Sequence, residues 1–168
     1  WSVNVIWPRC TLTLPIAITS SIYPDPDTHI EVVTYGHGGD LMSRLFTPAT
    51  GPGTRVTRPL KWLGAMLRHP IRTLRLLWPF GWSRRTIILL VMQTLDNHIA
   101  LRPKRGLFGG VRLQTEQDPE RPNPTFIPVA NAFAQWLAKR TGGIAQSSIM
   151  EAANIPSTAH ILGGAVIG

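Results

Sequence analysis

The chain has 168 residues, enough for one domain with a real core, and 43% of them are hydrophobic, which places it among globular proteins. Its 15 Pro and 15 Gly exclude a helical bundle, because they interrupt long regular helices. Lys and Arg number 17 against 9 Asp and Glu, a net charge of +8, and this calls for an anionic partner: nucleic acid, an anionic membrane surface or a phosphorylated cofactor.

From the N-terminus, the apolar opening is interrupted by Asn4, Pro8, Arg9 and Pro15 and has no basic start, so it does not read as a signal peptide. Cys10 is the only cysteine, which excludes an intrachain disulfide and a thiolate zinc site; no metal centre is expected. Thr11 to Ile22 and Thr28 to Tyr35 are rich in Ile, Val and Thr and predict two strands, with the turn between them in "YPDPD". In "THIEVVTY" the strand period of two sets His29, Glu31, Val33 and Tyr35 on one face, with Ile30 and Val32 on the other. "GHGGD" ends that strand, and "FTPATGPGTRVTRP" (46–59) reads as a mobile loop by composition.

Between Leu60 and Trp78, apolar residues at 60, 63, 67, 71, 74 and 78 draw one helical stripe, which Pro70 should kink or split. Lys61, Arg68, Arg72 and Arg75 form a second stripe about a quarter turn away, and Trp62, Trp78, Phe80 and Trp82 add amphipathic rings. This is the pattern of a helix lying on an interface.

"RTIILLVMQTLDN" (85–97) and the segment 98–114 predict two strands joined near "LDNH", with "KRGLFGG" making a turn or bulge farther on. The longest apolar run, Ile87 to Met92, is far shorter than the roughly 20 residues that cross a bilayer. No transmembrane helix is expected, and without a visible export signal the location reads as cytoplasmic or peripheral to the cell envelope. After the polar loop "TEQDPERPNPT", Phe126 to Thr141 predicts a helix with Val129, Phe133, Trp136 and Leu137 on one side, ended by Gly142 and Gly143.

Four stretches, "SSIYPDPDTHIEVVTYG", "RRTIILLVMQTLDN", "PNPTFIPVANAFAQWLAKRTGG" and "NIPSTAHILGGAVIG", resemble the glucose-methanol-choline oxidoreductases, and within them the actinobacterial cholesterol oxidases, from about Thr19 to Gly168. The last stretch is the most specific. The family carries a His, then usually Pro-Leu-Gly-Gly, beside its flavin ring; here the residues are His160, Ile161, Leu162, Gly163 and Gly164, with Ile161 in place of the usual Pro. The resemblance implies an α+β fold, an antiparallel sheet with covering helices that roofs a steroid cavity, incomplete without a Rossmann-like FAD domain. It divides the chain into a poorly matching segment, 1–18, a substrate-binding domain, 19–156, and the start of the returning FAD-domain segment, 157–168. No Gly-x-Gly-x-x-Gly loop occurs, so the chain reads as a C-terminal-half fragment of an FAD enzyme that ends in mid-site and is inactive by itself.

What the resemblance implies for the site is residue-specific. Oxidation of a steroid 3-hydroxyl needs a group to accept the hydroxyl proton, which a neutral imidazole can do, and His160 matches the family's histidine. Glu31 in "HIEVV" matches the family's strand glutamate, which moves the ring double bond by carrying a proton between two carbons. Gly163, Gly164 and Gly168 would let the backbone pass close to the flavin.

Each has a plainer reading beside it: a structural histidine before glycines, a solvent-facing strand glutamate, ordinary loop glycines. His29 and His37 flank Glu31 as surface or cavity-rim residues. The implied partners are a sterol or other bulky alcohol, a membrane surface met by residues 60–82, and the FAD-binding portion of the same enzyme. The alternative is a basic membrane-surface or nucleic-acid-binding domain without catalysis. Its motive is the 13 Lys and Arg between Arg44 and Arg112, with Asp96 the only acid there. Nucleic acid is not expected, since no recognition motif is present.

Overall fold

The structure, a computed structural model, describes residues 2–6, 20–106 and 109–157. It contains two compact units, one made of residues 1–93 with 125–168 and the other of residues 94–124.

The strands of the first unit are β1 (Ser2–Ile6), β2 (Ser21–Asp25), β3 (Thr28–Val33), β4 (Phe46–Pro48), β5 (Thr86–Gln93) and β8 (Ile144–Ser148). They form one sheet in the order β2-β3-β5-β1-β8-β4, and every neighbouring pair is antiparallel. The near-continuous apolar run of β5 follows from its place in the middle, where both sheet faces are covered. Ile87, Leu89 and Val91 join Val3, Val5, Ile30 and Val32 against helix α3 (Pro128–Thr141). Ile88 and Leu90 point the other way, to a second cluster with Ile6, Val33, Phe46, Leu76 and Trp82. Phe46 and Trp82 stack there with ring centroids 5.5 Å apart.

Helix α3 starts with Pro128 in its first turn, where the missing N–H costs nothing, and ends at Gly142, which holds φ 68°, a left-handed conformation that glycine adopts without strain. The residues it presses onto the sheet are Ala130, Ala134 and Ala138, all buried. Small side chains at this spacing let helix and sheet approach closely. Val129, Phe133 and Leu137 pack beside them half-buried, while Trp136 is exposed and stacked on Phe133. The side predicted from the larger residues is therefore only the flank of the buried face, and the alanine row forms its centre.

The stripe is carried by two helices, α1 (Thr57–Arg68) and α2 (Pro70–Leu77), so Pro70 splits it rather than kinking one helix. The break is at His69, φ −134° and ψ 62°, because the residue before a proline is pushed out of the α region. Helix α4 (Ile149–Ala152) follows β8 and is capped by the Ser148 hydroxyl, which accepts from the Met150 N–H.

The second unit contains β6 (Ile99–Arg105) and β7 (Val111–Gln117), an antiparallel hairpin. Three sequence expectations are corrected by this architecture. The turn in "KRGLFGG" joins β6 to β7, but β5 and β6 belong to different sheets, so "LDNH" is a connection and not a hairpin turn. Strand β2 runs through Tyr23 and Pro24 to Asp25, which narrows the turn to Pro26 and Asp27; the Asp25 carboxylate accepts from the Asp27 N–H at 3.0 Å. The supposed mobile loop at 46–59 holds edge strand β4 and the fully buried Arg58. Strand β1, for which the sequence offered no assignment, pairs with both β5 and β8 in the middle of the sheet.

Candidate functional site

Glu31 lies on β3, paired with Leu90 of β5 and Ser21 of β2. Alternation along β3 puts Thr28, Ile30 and Val32 toward α3 and His29, Glu31 and Val33 on the opposite face. The corresponding residues of β5 are Ile88, Leu90 and Met92, with Met92 opposite His29 and Ile88 opposite Val33. His29, Glu31, Val33, Leu90 and Met92 are half-buried. The result is a carboxylate set among apolar side chains on the sheet face away from α3. The His29 ring stacks on Tyr23 at 5.7 Å, which fits a rim residue. Val91 packs in the cluster with α3 instead, and its neighbour Met92 shares the Glu31 face with Leu90.

His160, Gly163, Gly164 and Gly168 lie outside the described residues. What is described is the approach to them: β8, α4 and the turn at Asn154, which has φ 57°. That turn is held by a buried polar cluster that no local sequence pattern announces. Arg58 Nη1 donates to Thr125 O at 2.7 Å, Glu151 O at 3.0 Å and Asn154 Oδ1 at 3.1 Å. Its Nε donates to Gly51 O at 3.2 Å, and its guanidinium sits 4.8 Å over the Phe126 ring. Burial pushes the Arg58 guanidinium below its usual value, and the charge of Glu151 opposes the shift. Glu151 is itself fully buried and accepts from Asn131 Nδ2 at 3.2 Å. Only distant partners could have revealed this arrangement, since Arg58 and Glu151 are 93 residues apart in sequence.

A second charged anchor sits under Trp82. The Asp40 carboxylate accepts from the Ser83 N–H at 2.9 Å, the Ser83 hydroxyl at 2.7 Å and the Gly81 N–H at 2.7 Å. Burial pushes this carboxyl up, but the hydrogen bonds from Ser83 and Gly81 and the charge of Arg84 outweigh it, so it is held below the usual carboxylate range.

The α1–α2 elbow forms the third feature. Its stripe of Leu60, Leu63, Leu67, Ile71 and Leu74, continued by Trp78 and Phe80, is 48–73% exposed. The sides turned inward carry Arg58, Thr73 and Leu76, which are buried, and Trp62, which donates to the Thr47 hydroxyl at 2.5 Å. Beside the stripe is a groove of about 630 Å³ lined by Arg68, His69, Pro70, Ile71, Arg72, Arg75, Gly143 and Ile144. Among the described residues no group of His, Cys, Asp and Glu is placed to hold a metal ion.

The first unit is therefore of mixed α/β class, an antiparallel sheet packed on one face by a helix. Over nearly all of its length the chain is similar to cholesterol oxidases. It is 46% identical over 165 residues to the cholesterol oxidase of two Mycobacterium tuberculosis strains, covering 96% of this chain and 28% of theirs. To the cholesterol oxidase of Acinetobacter baumannii it is 41% identical over 155 residues, covering 90% of this chain and 27% of the relative. The chain thus spans little more than a quarter of the length of these curated relatives. No family model matches it. No solved structure matches it either.

Proposed function

We propose that the chain is the substrate-binding part of an FAD-dependent sterol oxidase, acting on a steroid 3-hydroxyl or another bulky alcohol, with catalysis belonging to the longer protein. In this reading residues 19–156, with β1 completing their sheet, form the substrate-binding domain and residues 157–168 begin the return to the FAD domain. The observation that carries it is the placement of Glu31, half-buried beside Leu90, Val33 and Met92 on the sheet face away from α3. A flat apolar body fits such a wall, and a carboxylate within it has work only if a proton moves there. The likeness to cholesterol oxidases across this stretch supports the steroid class, and it does not favour a non-catalytic nucleic-acid-binding domain.

Gly163, Gly164 and Gly168 would hold FAD, which when bound supplies the hydride acceptor. With that group bound, His160 would accept the steroid hydroxyl proton as the alcohol becomes a ketone. The Glu31 carboxylate then removes a proton from the carbon between the ketone and the ring double bond. The electron pair spreads toward the ketone oxygen, and Glu31 returns the proton to the far carbon of the former double bond, which leaves the double bond conjugated. With the steroid body laid against Leu90, Val33 and Met92, water would be displaced from Glu31 and the proton would stay with it between the two transfers. The exposed stripe and basic flank at 60–82 meet the lipid surface from which such a substrate is drawn.

Glu31→Gln in the full-length enzyme tests the assignment. Glutamine keeps the size but cannot carry the proton. Double-bond migration should fall by about 10²–10⁴-fold while ketone formation continues, so the unconjugated ketone accumulates on chromatographic analysis. Migration at the wild-type rate would show Glu31 to be an ordinary strand residue.

A further inference from the structure

The apolar stripe of α1 and α2 faces outward although the pair has an inner side to bury. Five aliphatic residues, Leu60, Leu63, Leu67, Ile71 and Leu74, with Trp78 and Phe80 after them, are all exposed, while the buried positions go to Arg58, Thr73 and Leu76. Leaving so many large apolar groups in water is strongly unfavourable unless something covers them. A stripe left out by its own fold is therefore suited to an apolar medium outside it. Charge decides which medium. Arg68, His69, Arg72 and Arg75 converge on the elbow groove of about 630 Å³, and no acid occurs between Arg44 and Asp96. Among the described residues none of these arginines is paired with a carboxylate. Three guanidinium forks in one groove match the oxygens of a phosphate, since each offers parallel N–H donors in a plane. The groove opens beside Ile71, a member of the stripe, so one surface offers an anion cradle and a hydrocarbon-seeking ridge together.

We infer that the elbow groove is a binding site for the phosphate of an anionic phospholipid headgroup, which selects and anchors the membrane on which the α1–α2 stripe lies. The inference rests on the membrane contact proposed above and gives it a lipid class. The occupant is a lipid and not a soluble phosphate, because the groove and the exposed aliphatic ridge share Ile71 and only an amphiphile satisfies both.

The test is vesicle flotation of the full chain with phosphatidylcholine alone and with phosphatidylcholine–phosphatidylglycerol mixtures. The wild type should bind the mixed vesicles more tightly. Replacing Arg68, Arg72 and Arg75 together by Gln should weaken binding to mixed vesicles by on the order of a hundredfold and leave phosphatidylcholine binding unchanged. The triple Lys variant, which keeps the charges, should retain most of the preference and so separates lost charge from lost fold. Leu67→Ser with Ile71→Ser and Leu74→Ser should abolish binding to both vesicle types. A triple Gln variant that keeps its preference for phosphatidylglycerol overturns the headgroup site while leaving membrane contact standing. Binding of inorganic phosphate by the wild type with no preference for phosphatidylglycerol vesicles also overturns it, in favour of a soluble anion. Failure of the wild type to bind any vesicle removes the membrane contact itself and points to further protein as the cover of the stripe.

Discussion

Arg58 and Glu31 show how differently two charged residues can be placed by one chain. Glu31 keeps partial access to solvent on a sheet face, whereas Arg58 is fully buried and uses its donors on the carbonyls of Gly51, Thr125 and Glu151 and on the Asn154 side chain. The Gly51 and Thr125 carbonyls would lose this donor if the guanidinium were removed, whereas Glu151 O keeps the Asn154 N–H and Asn154 Oδ1 keeps the Thr125 hydroxyl; a buried unpaired acceptor costs about 1–3 kcal/mol. Arg58→Met should therefore lower unfolding free energy by about 2 kcal/mol or more, read as a shift in the denaturant midpoint with little change in slope. Methionine approximates the length of the side chain, so a loss of that size reports the donors and not a cavity. Neither residue's setting was equally visible beforehand: the face occupied by Glu31 follows from strand alternation, but nothing in "TRVTRPL" distinguishes buried Arg58 from exposed Arg55.

At the scale of elements, the turn around Trp82 depends on Asp40. The 3₁₀ helix at His37–Leu45 supplies the carboxylate, and the Gly81–Ser83 turn supplies three donors, which together seat Trp82 against Phe46 and Leu76. The carboxyl titrates below its ordinary value of 3.8, so the unfolded chain takes up the proton first as pH falls. The stabilisation from Asp40 is thus fully present above pH 3.8 and is lost as pH drops through the lower folded value. Asp40→Asn should melt below the wild type at neutral pH, and the two melting curves should converge in acid; a gap that persists below that range would mean that the charge of Asp40 is not what matters. The α1–α2 break was legible because proline acts on its immediate predecessor. The separation of β5 from β6 was not, because both segments have strand composition and only pairing partners tell them apart.

For the molecule as a whole, the sheet is held from both faces while the hairpin unit is two strands with largely exposed side chains, including Ile99, Leu101, Val111 and Leu113. Two-stranded ribbons are marginal by themselves. Amide hydrogen exchange should accordingly be slowest in β1 and β5 and faster by several orders of magnitude in β6 and β7; equal protection would show that the hairpin gains its stability from contacts beyond its own strands. No helix among the described residues is long and apolar enough to cross a membrane. By itself the sequence determined what short-range chemistry controls: the two faces of β3, the extent of α3 and its glycine stop, the split at Pro70, and the motifs that carry the likeness to cholesterol oxidases. Tertiary structure alone decided that β1 stands at the centre of the sheet, that α3 buries its alanines, that Arg58 is interior, and that the α1–α2 stripe faces out. The physical reason is one of range. Periodicity and turn preference are properties of neighbouring residues, whereas burial and pairing depend on which distant segments arrive to remove water from a side chain.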